Sequence, residues 1–257
     1  MCAYDEGTID VAEGLYRRAL AIRQEKLGAR HPDVAATLHN LGVCAWKAGR
    51  VSEAEALYRQ TLAIRVEQLG AEHIHVARTL HSLGGCVRNA GRTVEAEELY
   101  LRALAIREGK LGATHADVAA TVHELGVCAY DAGRVDEAEK YFRRALFVKE
   151  DTLGAYHRDV AYTVHDLGGC AFASGRTEEA EQLFRRALVI REKLGASLDA
   201  AGTLQCLGAC ARKDERVKEA EALFRRALNI REERLGENHL YVAYTLYDLG
   251  QLSLIHI

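Results

Sequence analysis

Leu-Gly recurs at Leu27-Gly28, Leu69-Gly70, Leu111-Gly112 and Leu153-Gly154, each pair 42 residues after the last. A chain that repeats at a fixed period builds small units that cannot bury their apolar faces alone and must cover one another. The stretch 118–154 is typical of these units. It holds two amphipathic helical patterns joined by Gly133-Arg134. The first opens near H-x-D-V-A, as at His31-Pro32-Asp33, with His73, His115, His157 and His239 as counterparts. Proline is tolerated in a first helical turn, and an aspartate there suits the positive end of the helix dipole. The stripe Val34, Leu38, Leu41 and Ala45 follows at helical spacing, and Gly49 is a stop signal, with Gly91, Gly133 and Gly175 as counterparts. The second pattern carries Ala54, Leu57, Tyr58 and Leu62. Ser52-x-x-Glu55 and Asp136-x-x-Glu139 have the spacing of a capping box at its start. Turns this short predict antiparallel helix pairs and an all-α fold.

Glu55/Arg59, Glu98/Arg102, Glu139/Arg143, Glu181/Arg185 and Glu221/Arg225 are four apart with the acid first, the favourable order on a solvated helix face. The many basic residues are therefore read as exposed helix surface. With 34 basic and 37 acidic residues, the formal charge of -3 provides no field toward nucleic acid or an anionic membrane. Neither class of partner is expected. No apolar run reaches the roughly 20 residues of a spanning helix, and the expected location is cytoplasmic. The single proline suits nearly unbroken helix. Cys2, Cys44, Cys86, Cys128 and Cys170 share the 42-residue spacing, with Cys210 in the same slot after two deletions and Cys206 one turn earlier. Successive slots lie too far apart for disulfides, so these are read as small buried hydrophobes kept reduced.

A longer period is superimposed. Units at 34 and 118 share LGVCA and AGRV, while those at 76 and 160 share LGGC and GRT, as if 84-residue pairs had been duplicated. Regularity fails between 188 and 208. There two residues are lost, the histidine slot becomes Ser197 or Leu198, and Asp214-Glu215 replaces the Ala-Gly turn. A perturbed pitch or a hinge is expected. Cys2-Ala-Tyr-Asp matches Cys128-Ala-Tyr-Asp three periods on, so the chain is expected to enter in mid-repeat, with Val11, Leu15 and Leu20 poorly covered. Leu252–Ile257 matches no repeat and is similar to a translated sequencing adaptor. The expected organisation is one array over 1–251, about five full repeats with truncated terminal ones, followed by a non-native tail over 252–257.

Leu125-Gly126 followed by Ala138-x-x-x-Phe142-x-x-Ala145 resembles the tetratricopeptide pattern. The 42-residue unit, the A-I-R-x-x-x-L-G ending and the H-P-D-V-A start are similar to the kinesin-light-chain type of that repeat. The resemblance covers residues 1–251. It implies a right-handed α-α superhelix, a solenoid whose first helices line a concave groove that holds extended peptides. Kinesin light chains carry side-chain amides at L-N-N-L-A. Here only Asn40 keeps an amide, so neither their cargo specificity nor a kinesin partner is implied.

Within that implied groove, His39, His81, His123 and His165 form a four-rung ladder. The rungs are too far apart to share a metal ion easily. Peptide contact and bridging between repeats both remain open. If exposed, the ladder would titrate near pH 6.5 and strengthen binding in acid. Asn40, Glu124 and Asp166 lie beside it, and Trp46, Arg88, Tyr130, Phe172 and Arg212 share a register further along, where aromatic and arginine side chains are apt anchors. No nucleophile elbow, phosphate loop or H-E-x-x-H motif occurs, so no enzyme activity and no cofactor are expected. The expected function is a protein-interaction scaffold binding a partner's peptide segment in the groove. The alternative is a structural spacer or self-association module whose truncated ends stack end to end.

Overall fold

The computed structural model describes residues 6–254. Among them are twelve helices and no strand: α1 (Glu6–Leu27), α2 (Pro32–Lys47), α3 (Val51–Leu69), α4 (Ile74–Asn89), α5 (Thr93–Leu111), α6 (Ala116–Asp131), α7 (Val135–Leu153), α8 (Arg158–Ala173), α9 (Thr177–Lys193), α10 (Ser197–Lys213), α11 (Val217–Leu235) and α12 (Leu240–Leu254). The chain divides into two compact units, Met1–Ala132 and Gly133–Ile257. Each begins with a second helix of a repeat (α1, α7), holds two complete hairpins (α2–α3 and α4–α5; α8–α9 and α10–α11) and closes with a first helix (α6, α12). The Cys2–Asp5 match and residues 255–257 lie outside the described residues. Leu252 falls in the cysteine register of α12 and is buried against Ala211, Ala220 and Phe224.

The loop histidines start the first helices, as expected. His31 is the N-cap of α2, and its Nδ1 accepts the Asp33 N–H at 3.1 Å. His73, His115, His157 and His239 accept from the residue two further on in the same way. The imidazole thus stands in for the serine or aspartate that usually satisfies an orphan donor. α2, α4, α6 and α8 end one residue before an alanine or serine cap and α10 before Asp214, and Gly49 at φ 75° lets the Arg50 N–H reach back to the Ala45 carbonyl at 2.9 Å.

The capping boxes are not formed. α3 and α7 begin at Val51 and Val135, their N-caps are Arg50 and Arg134, and neither cap side chain accepts a backbone N–H of the first turn; each instead pairs with a glutamate there, Glu53 or Glu137. Ser52 and Asp136 therefore fall inside the first turn. Glu55 and Glu139 turn instead toward the neighbouring repeat, where Arg92 and Arg176 each donate to them at 2.5 Å. Arg59 and Arg143 complete the clusters by bridging to Glu95 at 2.6 Å and Glu179 at 2.9 Å. The Glu55/Arg59, Glu139/Arg143, Glu181/Arg185 and Glu221/Arg225 pairs do form. Glu98 and Arg102 do not pair, because they sit one residue out of the 55/59 register, whose counterparts are Glu97 and Leu101.

Inside each hairpin a glycine of the first helix meets an aromatic ring of the second. A Cβ on Gly84 would stand 2.9 Å from the Tyr100 ring, and one on Gly168 would stand 2.7 Å from Phe184. Tyr58, Tyr100, Phe184 and Phe224 are buried at these contacts. A cation ladder joins one repeat to the next. Arg65, Arg107, Lys149, Arg191 and Arg231 are only 3–7% exposed, and each donates to a threonine hydroxyl of the following first helix: Thr79, Thr121, Thr163, Thr203 and Thr245. The arginines also donate to the carbonyl at the first turn of that helix, as Arg107 does to Asp117 at 2.8 Å. Burial pulls Arg65 down to about 10, which leaves it cationic at neutral pH.

The two deletions near 190–200 shorten the end of α9, which has 17 residues where α3, α5, α7 and α11 have 19. Gly195 (φ 66°) and the Ala196 N–H to Arg191 carbonyl bond make a turn of the kind found inside hairpins, and Ala196 replaces a histidine cap. Arg191 still reaches Thr203, now 12 residues on where the other clamps span 14. Glu215, at φ 59°, is the one positive-φ residue other than glycine among the described residues.

Candidate functional site

The histidine ladder lies between helices. His39 is buried and His81, His123 and His165 are half-buried. His39 packs at a tilt against Tyr58 with ring centroids 5.2 Å apart, His81 edge-on against Tyr100 at 5.4 Å and His165 at a tilt against Phe184 at 5.2 Å. His165 Nδ1 also lies 3.3 Å from the Arg191 guanidinium, so this rung touches the cation ladder of the next repeat. The reason is register: the histidine follows the buried leucine or valine of the stripe and faces its own second helix. Burial, reinforced by nearby arginines, holds His39, His81 and His165 down at about 3. The expected titration near pH 6.5 is therefore corrected, because a ring between two packed helices loses the water that stabilises imidazolium.

The residues one turn or two along remain at the surface. Trp46 and Tyr130 are 37% and 40% exposed, and Asn40, Arg88, Glu124, Asp166, Phe172 and Arg212 are half-exposed. In the first unit Arg88 lies 3.4 Å from Glu124 and 3.6 Å from Asp131, and the Tyr100 hydroxyl donates to Glu124 at 3.4 Å. These contacts join α4, α5 and α6 into one polar surface. In the second unit Arg212 lies 3.4 Å from Asp248, which also accepts from Gln205 at 2.5 Å. Lys213 stands over the Phe172 ring at 5.1 Å. Arg212, Tyr247, Asp248, Gln251 and Leu254 line an open cleft of about 540 Å³.

Sequence reasoning missed Asp248 and Gln205. Asp248 occupies the Glu124 and Asp166 register, and Gln205 the histidine register, once the two deletions are counted. Among the described residues no group of three His, Cys, Asp or Glu side chains could hold a metal ion, and no helix is long and apolar enough to cross a membrane. Cys44, Cys86, Cys128, Cys170 and Cys210 are buried free thiols. Burial pushes Cys128 and Cys170 up to about 12, which makes them poor nucleophiles.

The tetratricopeptide repeat model matches residues 1–65, 44–109, 75–150, 117–193 and 199–254. The crystal structure of BtubC (BKLC) from P. vanneervenii is similar to this chain with a TM-score of 0.71 and 23% identity, over 90% of this chain and 91% of that one. A kinesin light chain-like protein of Podosopora anserina with nearly identical repeats has a TM-score of 0.65 and 25% identity, over 80% of this chain and 98% of that one. A substituted form of the same protein gives 0.66 and 25%, over 79% and 97%. No curated protein matches the chain at a significant level.

Proposed function

The chain belongs to the tetratricopeptide repeat family of protein-interaction scaffolds, and we propose that it holds an extended peptide segment of a partner protein along the face of its first helices. One observation carries this reading. Trp46, Arg88 and Tyr130 share a register in three successive first helices and change identity at every step, while the stripe beneath them, Leu38, Leu80 and Val122, hardly changes and is buried. Packing accounts for the constant positions. The variable ones, aromatic or cationic and partly open to solvent, suit anchoring of a ligand. Arg88 is held by Glu124 and Asp131, and Arg212 by Asp248, so a ligand carboxylate would gain affinity only by displacing one of these partners. In this reading the site of action is the cytoplasm, where the buried thiols stay reduced.

The test is a pull-down with mass-spectrometric identification, comparing the native chain with a Trp46→Ala/Tyr130→Ala/Phe172→Ala variant of unchanged helicity. Loss of specific partners from the variant is the expected result. Retention of every partner at native yield would overturn the reading.

A further inference from the structure

In the second unit, successive second helices are tied by an ion pair across their exposed faces. Arg186 of α9 donates to Glu150 of α7, and Arg226 of α11 donates to Glu192 of α9. Both partners belong to rows in the sequence. Arg18, Arg102, Arg144, Arg186 and Arg226 share one register, and Glu108, Glu150, Glu192 and Glu232 share the other. Between α3 and α5 the ladder is broken. Arg102 has the position of Arg186, but the glutamate slot that should serve it holds Val66.

Val66 and Arg102, with Arg59, Leu62, Ala63 and Glu67, line a cleft of about 410 Å³ between α3 and α5. Leu62 and Val66 are half-buried, and Ala63 and Arg102 are exposed. The other charges of the cleft are already engaged. Arg59 is bonded to Glu55 and Glu95, and Glu67 to Arg30 at 2.8 Å. Arg102 makes no ion pair or side-chain hydrogen bond among the described residues, and Glu98, one turn before it, leaves it unbound. The cleft therefore offers one free guanidinium beside an aliphatic floor. A guanidinium presents a planar fork that matches a carboxylate, and the aliphatic floor gains by shedding water.

We propose that this cleft docks an acidic segment of a partner protein, with an aspartate or glutamate on Arg102 and a neighbouring leucine, isoleucine or valine on Leu62, Ala63 and Val66. The occupant follows from charge complementarity. The ladder in the second unit shows which group this row of arginines takes, and at Arg102 the chain does not supply it. The cleft is built from second helices, so it stands apart from the face of first helices proposed to hold an extended peptide. Neither reading depends on the other.

A displayed random-peptide library, cleared first on the Val66→Glu chain and then captured on the native chain, tests the proposal. Glutamate already fills this register at Glu108, Glu150, Glu192 and Glu232, so Val66→Glu should keep native helicity and engage Arg102 within the chain. Clearing also removes peptides that bind the first helices, which the substitution leaves intact. The expected survivors carry an acid beside an aliphatic residue. As synthetic peptides they should bind the Arg102→Ala chain about fivefold more weakly than the native chain, the loss of one exposed charge pair. Their binding should also weaken as salt rises. The Trp46→Ala/Tyr130→Ala/Phe172→Ala variant should bind them as the native chain does. Survivors without an acid, survivors indifferent to Arg102→Ala, survivors lost in the triple variant, or no survivors at all would each overturn the proposal.

Discussion

The Arg107 Nη1 lies 2.5 Å from the Thr121 hydroxyl, buried, with no carboxylate among its hydrogen-bond partners. A charge taken out of water and satisfied only by a hydroxyl and a carbonyl is sensitive to the loss of either acceptor. Thr121→Val keeps the shape and removes the acceptor. It should lower stability by about 1–3 kcal/mol, read as a shift of the urea midpoint. Thr121→Ser, which keeps the hydroxyl, should recover most of that loss.

Two glycines six residues apart in α10 should respond in opposite directions. Gly208 has the Phe224 ring 2.5 Å from where a Cβ would stand, whereas nothing lies within 4 Å of one on Gly202. Gly208→Ala should destabilise by about 1–3 kcal/mol through overpacking. Gly202→Ala should stabilise by up to about 1 kcal/mol, because alanine restricts the unfolded chain and suits a helix interior. Paired thermal melts would show whether the signs differ.

Glu215 holds the left-handed conformation that glycine supplies in the equivalent turns of the other hairpins. An L side chain there costs roughly 1 kcal/mol. Glu215→Gly relieves that strain but frees the unfolded chain, so a net gain of about 0.5 kcal/mol is expected, measured by equilibrium denaturation.

Acid should weaken the fold before the carboxylates titrate. His39, His81 and His165 stand at about 3 when folded and near 6.5 when unfolded. A base with a depressed folded value binds more protons unfolded, so its contribution is fully present above pH 6.5 and is lost as pH falls toward 3. Each histidine should cost about 1–2 kcal/mol between pH 7 and pH 5. The charges that act on them are Arg65, Arg78 and His75 for His39, Arg107 for His81, and Arg191 and Asp199 for His165. Glutamine already occupies this register at Gln205, so His81→Gln is the conservative variant. Chemical denaturation at the two pH values should show a smaller loss for it than for the native chain.

The fold was legible because its signals are copied: a stripe written five times leaves little ambiguity about period or face. What failed was local. Ser52-x-x-Glu55 has the letters of a capping box, but the preceding Gly49 turn starts the helix two residues early, at Val51, and the neighbouring Arg92 takes the glutamate. Spacing alone paired Glu98 with Arg102, a coincidence outside the repeat register. The histidine ladder was recognised, but whether its rings point to solvent depends on the aromatic of the second helix, nineteen residues away at Tyr58 or Tyr100. The clamps were present as a cation and a threonine 14 residues apart, 12 at Arg191 and Thr203. Their role emerged only when the first turn of the next helix placed a carbonyl beside the hydroxyl. The surface residues Arg88, Glu124 and Asp131 come from different repeats, and their mutual neutralisation cannot be seen within any one of them.

The α9–α10 junction separates two properties that a repeat boundary usually couples. Two residues and a histidine cap are gone, yet the donor on one side and the hydroxyl on the other still meet. The length of the helix end and its loop is thus a free variable in this architecture, and the joint is defined by a matched pair of side chains. Units drawn from relatives with different linkers should be interchangeable wherever that pair is kept, and grafts that preserve the linker but discard the pair should fail to dock.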